Sequence, residues 1–172
     1  MSQKLKIAGG AQPPPCSHTD DPIPVGDHTI YAGGGLWLQP EDMADYDIAV
    51  FLRAEAYAGH GKAFGLVERN FLWLPIVDFK TVPEQNWVTW KQRIVQVAKL
   101  VTDEKRVIAF CAGGHGRTGL FLASVLAHME PEHDDPVSVL RSRYCHKAVE
   151  TKAQEAQVLR FLHETRAART VA

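Results

Sequence analysis

The run Val107-Ile108-Ala109-Phe110-Cys111-Ala112-Gly113-Gly114-His115-Gly116-Arg117-Thr118-Gly119 restricts this chain to few architectures. A continuously apolar, β-branched segment ends in a cysteine, and four of the next eight residues are glycine. An arginine, a threonine and a helical apolar stretch follow. A strand that enters a helix through such a turn lets successive amide N–H groups converge as an anion nest. The positive end of the helix faces the same point. An ordinary thiol is only a few per cent ionised near neutrality, and amides, a helix N-terminus and a guanidinium all favour the thiolate. The same groups suit a tetrahedral oxyanion, with Arg117 able to grip two oxygens in a fork. The plainer alternative is a Gly-rich turn beside an inert cysteine. The coincidence of Cys111, an arginine six residues on and a hydroxyl directly after it argues against that alternative.

Cys111, Gly114, Arg117 and Thr118 spell C-x-x-G-x-x-R-[S/T]. The segment resembles the signature of the cysteine-dependent protein tyrosine and dual-specificity phosphatases. The resemblance implies a phosphocysteine intermediate, with Cys111 as nucleophile and Arg117 plus the amides of Ala112, Gly113, Gly114, His115 and Gly116 holding the phosphoryl oxygens. Thr118 takes the place of the hydroxyl that steadies the departing thiolate. One position differs: Phe110 stands where the family usually carries histidine.

Such a mechanism needs an acid from elsewhere. Residues 70–77 read as a strand running into a loop, and Val77-Asp78-Phe79-Lys80-Thr81-Val82-Pro83 is similar to the mobile acid loop of these enzymes. A proton delivered to a phenolate or alkoxide leaving group is worth about 10²–10⁴-fold. Asp78 is therefore the expected general acid, with Glu84 as its substitute. A third segment, Glu150-Thr151-Lys152-Ala153-Gln154, resembles the late Gln-Thr-x-x-Gln loop that aligns the hydrolytic water. Thr151 and Gln154 fit, whereas Glu150 replaces the first glutamine. Thr151 followed by Gln154 is equally a capping box that opens the last helix.

The remainder of the chain agrees with a small enzyme. Its 172 residues suit one domain with a genuine core, preceded by a Pro/Gly-rich arm over 1–26. Strands are expected at 28–32, 47–52, 71–76 and 106–111, and helices at 40–45, 54–67, 86–103, 117–130, 135–144 and 151–167. This alternation predicts an α/β fold over 27–172: a central, mainly parallel sheet of four to five strands flanked by helices on both faces, as in the dual-specificity phosphatases. Trp87, Trp90, Ile94, Val97 and Val101 share one helical face and read as core. Asp134 and Asp135 before Pro136 mark a helix start.

A net charge of −1, from 19 basic and 20 acidic residues, argues against non-specific nucleic-acid binding. No apolar run approaches a membrane span, and Met1–Lys6 lacks a secretory pattern. A cytoplasmic, reducing setting is expected, and a thiolate enzyme needs one. Cys16, Cys111 and Cys145 form no C-x-x-C pair. The eight histidines are scattered, and neither Cys16-x-His18 nor Cys145-His146 has zinc-finger spacing. The sequence thus predicts neither metal nor cofactor, and leaves His115 facing either the substrate or the rim of the loop.

The loop between Cys111 and Arg117 carries no lysine, which disfavours the highly phosphorylated lipid substrates of some relatives. Phosphotyrosine, with phosphoserine or phosphothreonine, in proteins or small phosphoesters is the expected substrate. An RNA 5′-triphosphatase, a phosphate-binding pseudophosphatase and a rhodanese-type sulfur carrier are the rivals.

Overall fold

Alternate residues of the apolar run Val107–Cys111 face opposite sides of one sheet. In the computed structural model, which describes residues 16–35, 44–54 and 70–171, this run is strand β5 and lies at the sheet centre. β1 (Asp21–Val25), β2 (His28–Gly34), β3 (Ile48–Arg53) and β4 (Phe71–Ile76) complete five strands in the order β1-β2-β5-β3-β4. Pairing is parallel throughout except for β1, which runs antiparallel to β2. Among the described residues the α-helices are α1 (Trp87–Thr102), α2 (Gly116–Met129), α3 (Pro136–Arg143) and α4 (Lys152–Val171). The α/β class and mainly parallel sheet match the expectation. The helices expected at 40–45 and 54–67 fall, but for edge residues, outside the described residues.

β1 departs from the reading of 1–26 as an arm. Proline disfavours an inner strand, but Pro22 and Pro24 lie on the outer edge, with exposed side chains alternating with buried Ile23 and Val25. An edge strand tolerates proline because the missing N–H faces away from the partner, and the prolines discourage further strand addition. Gly26, at φ 56°, makes the tight turn into β2, in register Val25↔His28.

Val107, Ala109 and Cys111 join the larger core with Val50, Leu52, Ile76 and the buried faces of all four helices. Ile108 and Phe110 face the other way, with Ala49, Phe51 and Tyr46. Among the described residues, then, the four α-helices pack on one face, whereas the alternation pattern predicts cover on both. α1 buries Trp87, Trp90, Ile94, Val97 and Val101, as their spacing predicts. Asp135 accepts from Ser138 N (2.9 Å), capping α3 with Pro136 in its first turn. Thr151 Oγ1 accepts from Gln154 N (3.1 Å), and Gln154 Oε1 accepts from Thr151 N in return. This reciprocal box opens α4. Because β3, β4 and β5 are parallel, their carboxyl ends share one edge of the sheet, where open α/β folds place ligands.

Candidate active site

Cys111 ends β5 on the helix-covered face, 3 % exposed, and its carbonyl accepts from Gly35 N at 2.7 Å. Residues 112–115 then turn into α2. Gly114 has φ 82°, and a Cβ there would lie 2.9 Å from Tyr144 Oη and 3.0 Å from the Gly33 carbonyl. Only glycine meets both demands. Tyr144 braces the same point by donating to the Gly114 carbonyl (2.6 Å). Burial pushes the Tyr144 phenol far up, so it stays a donor. Phe110 lies on the opposite face of the sheet, its ring 5.3 Å from that of Phe51. The residue ahead of Cys111 therefore belongs to the aromatic cluster on that face.

Arg117 lies in the first turn of α2, 2 % exposed, while Asp78 leaves the end of β4 with its side chain 54 % exposed. Arg117 Nη2 is 3.1 Å from Asp78 Oδ1, and Nη1 donates to the Ile76 carbonyl at 3.4 Å. Two residues predicted to act together from distant segments thus meet at one sheet edge. Thr118 is fully buried, and its Oγ1 has no hydrogen-bond partner among the described residues. Glu84, the substitute acid, is instead held by Arg160 in a two-pronged pair at 2.6 and 2.8 Å.

Glu150 is the acidic neighbour whose placement the sequence did not reveal. Its carboxylate accepts from the Gly116 amide, and a Cβ on Gly116 would come within 2.2 Å of Glu150 Oε2. Burial, then the charge of Asp78, push its pKa up, against the pull of that amide, Arg117 and Lys147. Two carboxylates therefore stand at donors suited to a phosphate: Asp78 at Arg117, and Glu150 at the start of α2.

Gln154 is fully buried, and its amide is committed to the backbone. Oε1 accepts from Glu150 N (3.0 Å) and Thr151 N (3.3 Å), while Nε2 donates to the Lys80 carbonyl (3.0 Å). Gln157 adds a reciprocal pair with Val82, N to Oε1 and Nε2 to O, each 2.8 Å. The last helix thus clamps the loop that carries Asp78 at two points, Lys80 and Val82. Within that loop Phe79 adopts φ 57° and is 58 % exposed beside Asp78.

His115 turns its ring toward His18, edge to face at 5.0 Å. Cys16 and Cys145 lie beside this pair, their sulfurs 3.7 Å apart. The four residues, scattered in sequence and predicted to bind no metal, form one cluster whose candidate ligand atoms all lie within 4.8 Å of one another.

No family model matches the chain. Two uncharacterized proteins of Methanocaldococcus jannaschii are similar to it over 94 residues, at 40% and 36% identity. The matches take in 53% of this chain and 54% and 58% of those proteins, so the chain spans about half the length of the curated relatives it matches. Among solved structures, Tk-PTP in its active form superimposes with a TM-score of 0.63 at 21% identity, covering 84% of this chain and 97% of that one. Kinase associated phosphatase, with its catalytic cysteine replaced by serine, gives 0.66 at 12% identity over 88% and 98%. PTPMT1 in complex with PI(5)P gives 0.61 at 13% identity over 83% and 96%.

Proposed function

We propose that this chain, which has the fold of the protein tyrosine and dual-specificity phosphatases, hydrolyses phosphate monoesters through a phosphocysteine. The reading is carried by one observation: the Arg117 guanidinium and the Asp78 carboxylate meet at the sheet edge where β5 delivers Cys111. Arg117 exchanges Asp78 for two oxygens of the incoming phosphoryl group, which frees Asp78 for the leaving group. The Cys111 thiolate attacks phosphorus, the S–P bond forming as the ester P–O bond breaks. Asp78 gives its proton to the departing oxygen. Water then attacks the phosphocysteine and returns a proton to Asp78, releasing orthophosphate and the thiolate. Thr118 Oγ1, buried without another partner among the described residues, donates to the sulfur as it leaves.

An aryl phosphate on a protein or a small molecule is the favoured substrate. Phe79 offers an exposed ring next to the acid, suited to lie along an aromatic leaving group. The loop from Ala112 to Gly116 has no cationic side chain to meet further phosphates on an inositol ring. No helix among the described residues is long and apolar enough to cross a membrane.

The deciding experiment is rapid acid quench during turnover of para-nitrophenyl phosphate and a phosphotyrosine peptide. A phosphoenzyme on Cys111, lost in Cys111→Ser while phosphate binding persists, is the expected result. Turnover that survives Cys111→Ser refutes the mechanism, and binding without turnover in the wild type identifies a pseudophosphatase.

A further inference from the structure

We propose that Cys16, His18, His115 and Cys145 are the four ligands of a tetrahedral zinc ion, which rivets the loop after β5 to the segment ahead of β1 and to the α3–α4 connection. Geometry is the first argument. Ligand atoms from all four residues lie within 4.8 Å of one another, and the two sulfurs are 3.7 Å apart. With Zn–S bonds of about 2.3 Å, a tetrahedral site separates its sulfurs by roughly 3.8 Å. The rest of the set closes around one ion with shifts of about an ångström.

The imidazoles supply the second argument. His18 is 6 % exposed, yet its Nε2 has no partner among the described residues, and the Nε2 of His115 is likewise buried and unsatisfied among them. Buried ring nitrogens without a partner are costly. The other nitrogen of His18, Nδ1, is bound to the Asp21 carboxylate. That contact fixes the ring and leaves Nε2 as the free donor, the usual outer-shell arrangement of a histidine that holds a metal. Cys145 Sγ accepts from Lys147 N at 3.5 Å, while burial pushes its thiol up, so it is the metal that would displace the proton.

Donor chemistry selects the ion. Two thiolates and two imidazoles in tetrahedral array suit Zn²⁺, and the thiolates cancel its charge within a largely buried site. Binding releases one proton from each thiol. A Cys16–Cys145 disulfide would use both sulfurs but leave the two imidazole nitrogens unsatisfied. Cys111 is outside the cluster, so the ion does not occupy the sulfur assigned to attack. His115 lies four residues after Cys111 and two before Arg117, hence the ion sets the path of the loop between them. The proposal stands on this cluster alone and does not depend on the reaction proposed above.

The test uses the full chain, purified under reducing conditions. Elemental analysis is expected to find about one zinc per chain. Cobalt(II) added to the chelator-stripped protein is expected to give intense tetrahedral d–d bands and a thiolate-to-cobalt charge-transfer band. Cys16→Ser and His18→Ala should each lower cobalt affinity by about tenfold or more, and Asp21→Asn by about tenfold through the outer shell. Cys111→Ser should leave the spectrum unchanged. Chelator should lower the melting temperature of the wild type but not of Cys16→Ser. A stripped wild type that stays folded, by circular dichroism, and gives no thiolate charge-transfer band with cobalt overturns the proposal. So does a Cys16–Cys145 disulfide that persists under reductant, or a spectrum lost in Cys111→Ser but kept in Cys16→Ser.

Discussion

The guanidinium of Arg117 and the carboxylate of Asp78 are 3.1 Å apart, with the arginine almost fully buried and the aspartate half exposed. Arg117 is fixed by the first turn of α2 and by the Ile76 carbonyl, so Asp78 is the partner free to move. Replacing Arg117 by lysine keeps the charge but removes the planar fork. For Arg117→Lys, kcat/KM is expected to fall about 10²–10³-fold, equivalent to roughly 3–4 kcal/mol of transition-state stabilisation. Steady-state kinetics with para-nitrophenyl phosphate, alongside a melting curve to confirm folding, measures this. An unaltered kcat/KM removes Arg117 from the phosphoryl site.

Asp78 is tested through the leaving group. A poor leaving group needs its proton and a good one scarcely does. Asp78→Asn should therefore cost about 10²-fold or more in kcat with phenyl phosphate, and far less with an activated aryl ester. Equal losses across a series of leaving groups would assign Asp78 a merely structural part.

Gln157 bonds Val82 in both directions, and this pair anchors the loop that carries Asp78, the proposed acid. Gln157→Ala removes two hydrogen bonds, each worth about 1 kcal/mol. The expected result is a drop in kcat of about tenfold, as the loop spends less time with Asp78 in place. In an Asp78→Asn background the same change should have little further effect, since the two act through one step. Additive losses in the double variant would separate Gln157 from the acid loop.

Stability has its own titration. Glu130 pairs with Arg143 at 2.6 and 2.9 Å and accepts from the Gly26 amide and His133, tying the β1–β2 turn to the end of α2 and to α3. Arg143 above all, then the Gly26 amide, hold its pKa down, at about 2. A depressed carboxylate adds stability that is complete above its unfolded pKa and is lost as pH falls through the folded value. Here the window runs from about pH 4.5 down to about pH 2. Glu130→Gln should lose roughly 2–3 kcal/mol at neutral pH and show a flatter acid limb in denaturant melts. Parallel stability–pH curves for the two proteins would deny Glu130 that role.

Much of this fold and site is legible because it is local. The Cys111–Thr118 pattern occupies one strand end and one helix start, and α1 shows its buried face in the spacing of Trp87, Trp90, Ile94, Val97 and Val101. Asp78 is found because its loop has a pattern of its own. β1 is hidden because Pro22 and Pro24 read as strand breakers until an edge position makes them harmless. The Cys16, His18, His115 and Cys145 cluster is hidden for a different reason. Its members come from three segments with no fixed spacing, so only the folded chain brings them together. Gln154 was legible as a helix cap, but its bond to the Lys80 carbonyl depends on how α4 packs against the acid loop.

Glu150 separates anion binding from catalysis. Its carboxylate occupies the Gly116 amide, a donor that an incoming phosphate can use, and it adds negative charge near Asp78 and Arg117. Glu150→Gln removes the charge and keeps the shape. Inhibition by orthophosphate or tungstate should strengthen about 5–10-fold at neutral pH, the scale of one charge a few ångströms away behind partial solvent screening. Burial and Asp78 raise the Glu150 pKa, so ionising it in the folded protein is unfavourable. The stability linked to its protonated form is complete below the unfolded pKa and lost as pH rises through the folded one. The glutamine variant should consequently melt slightly higher than wild type at neutral pH, and the two should converge under acid. The inhibition difference should shrink over the same range, as protonation makes Glu150 resemble glutamine. Inhibition constants measured across pH for both proteins decide the point: equal values at neutral pH would show that Glu150 does not compete for the anion site.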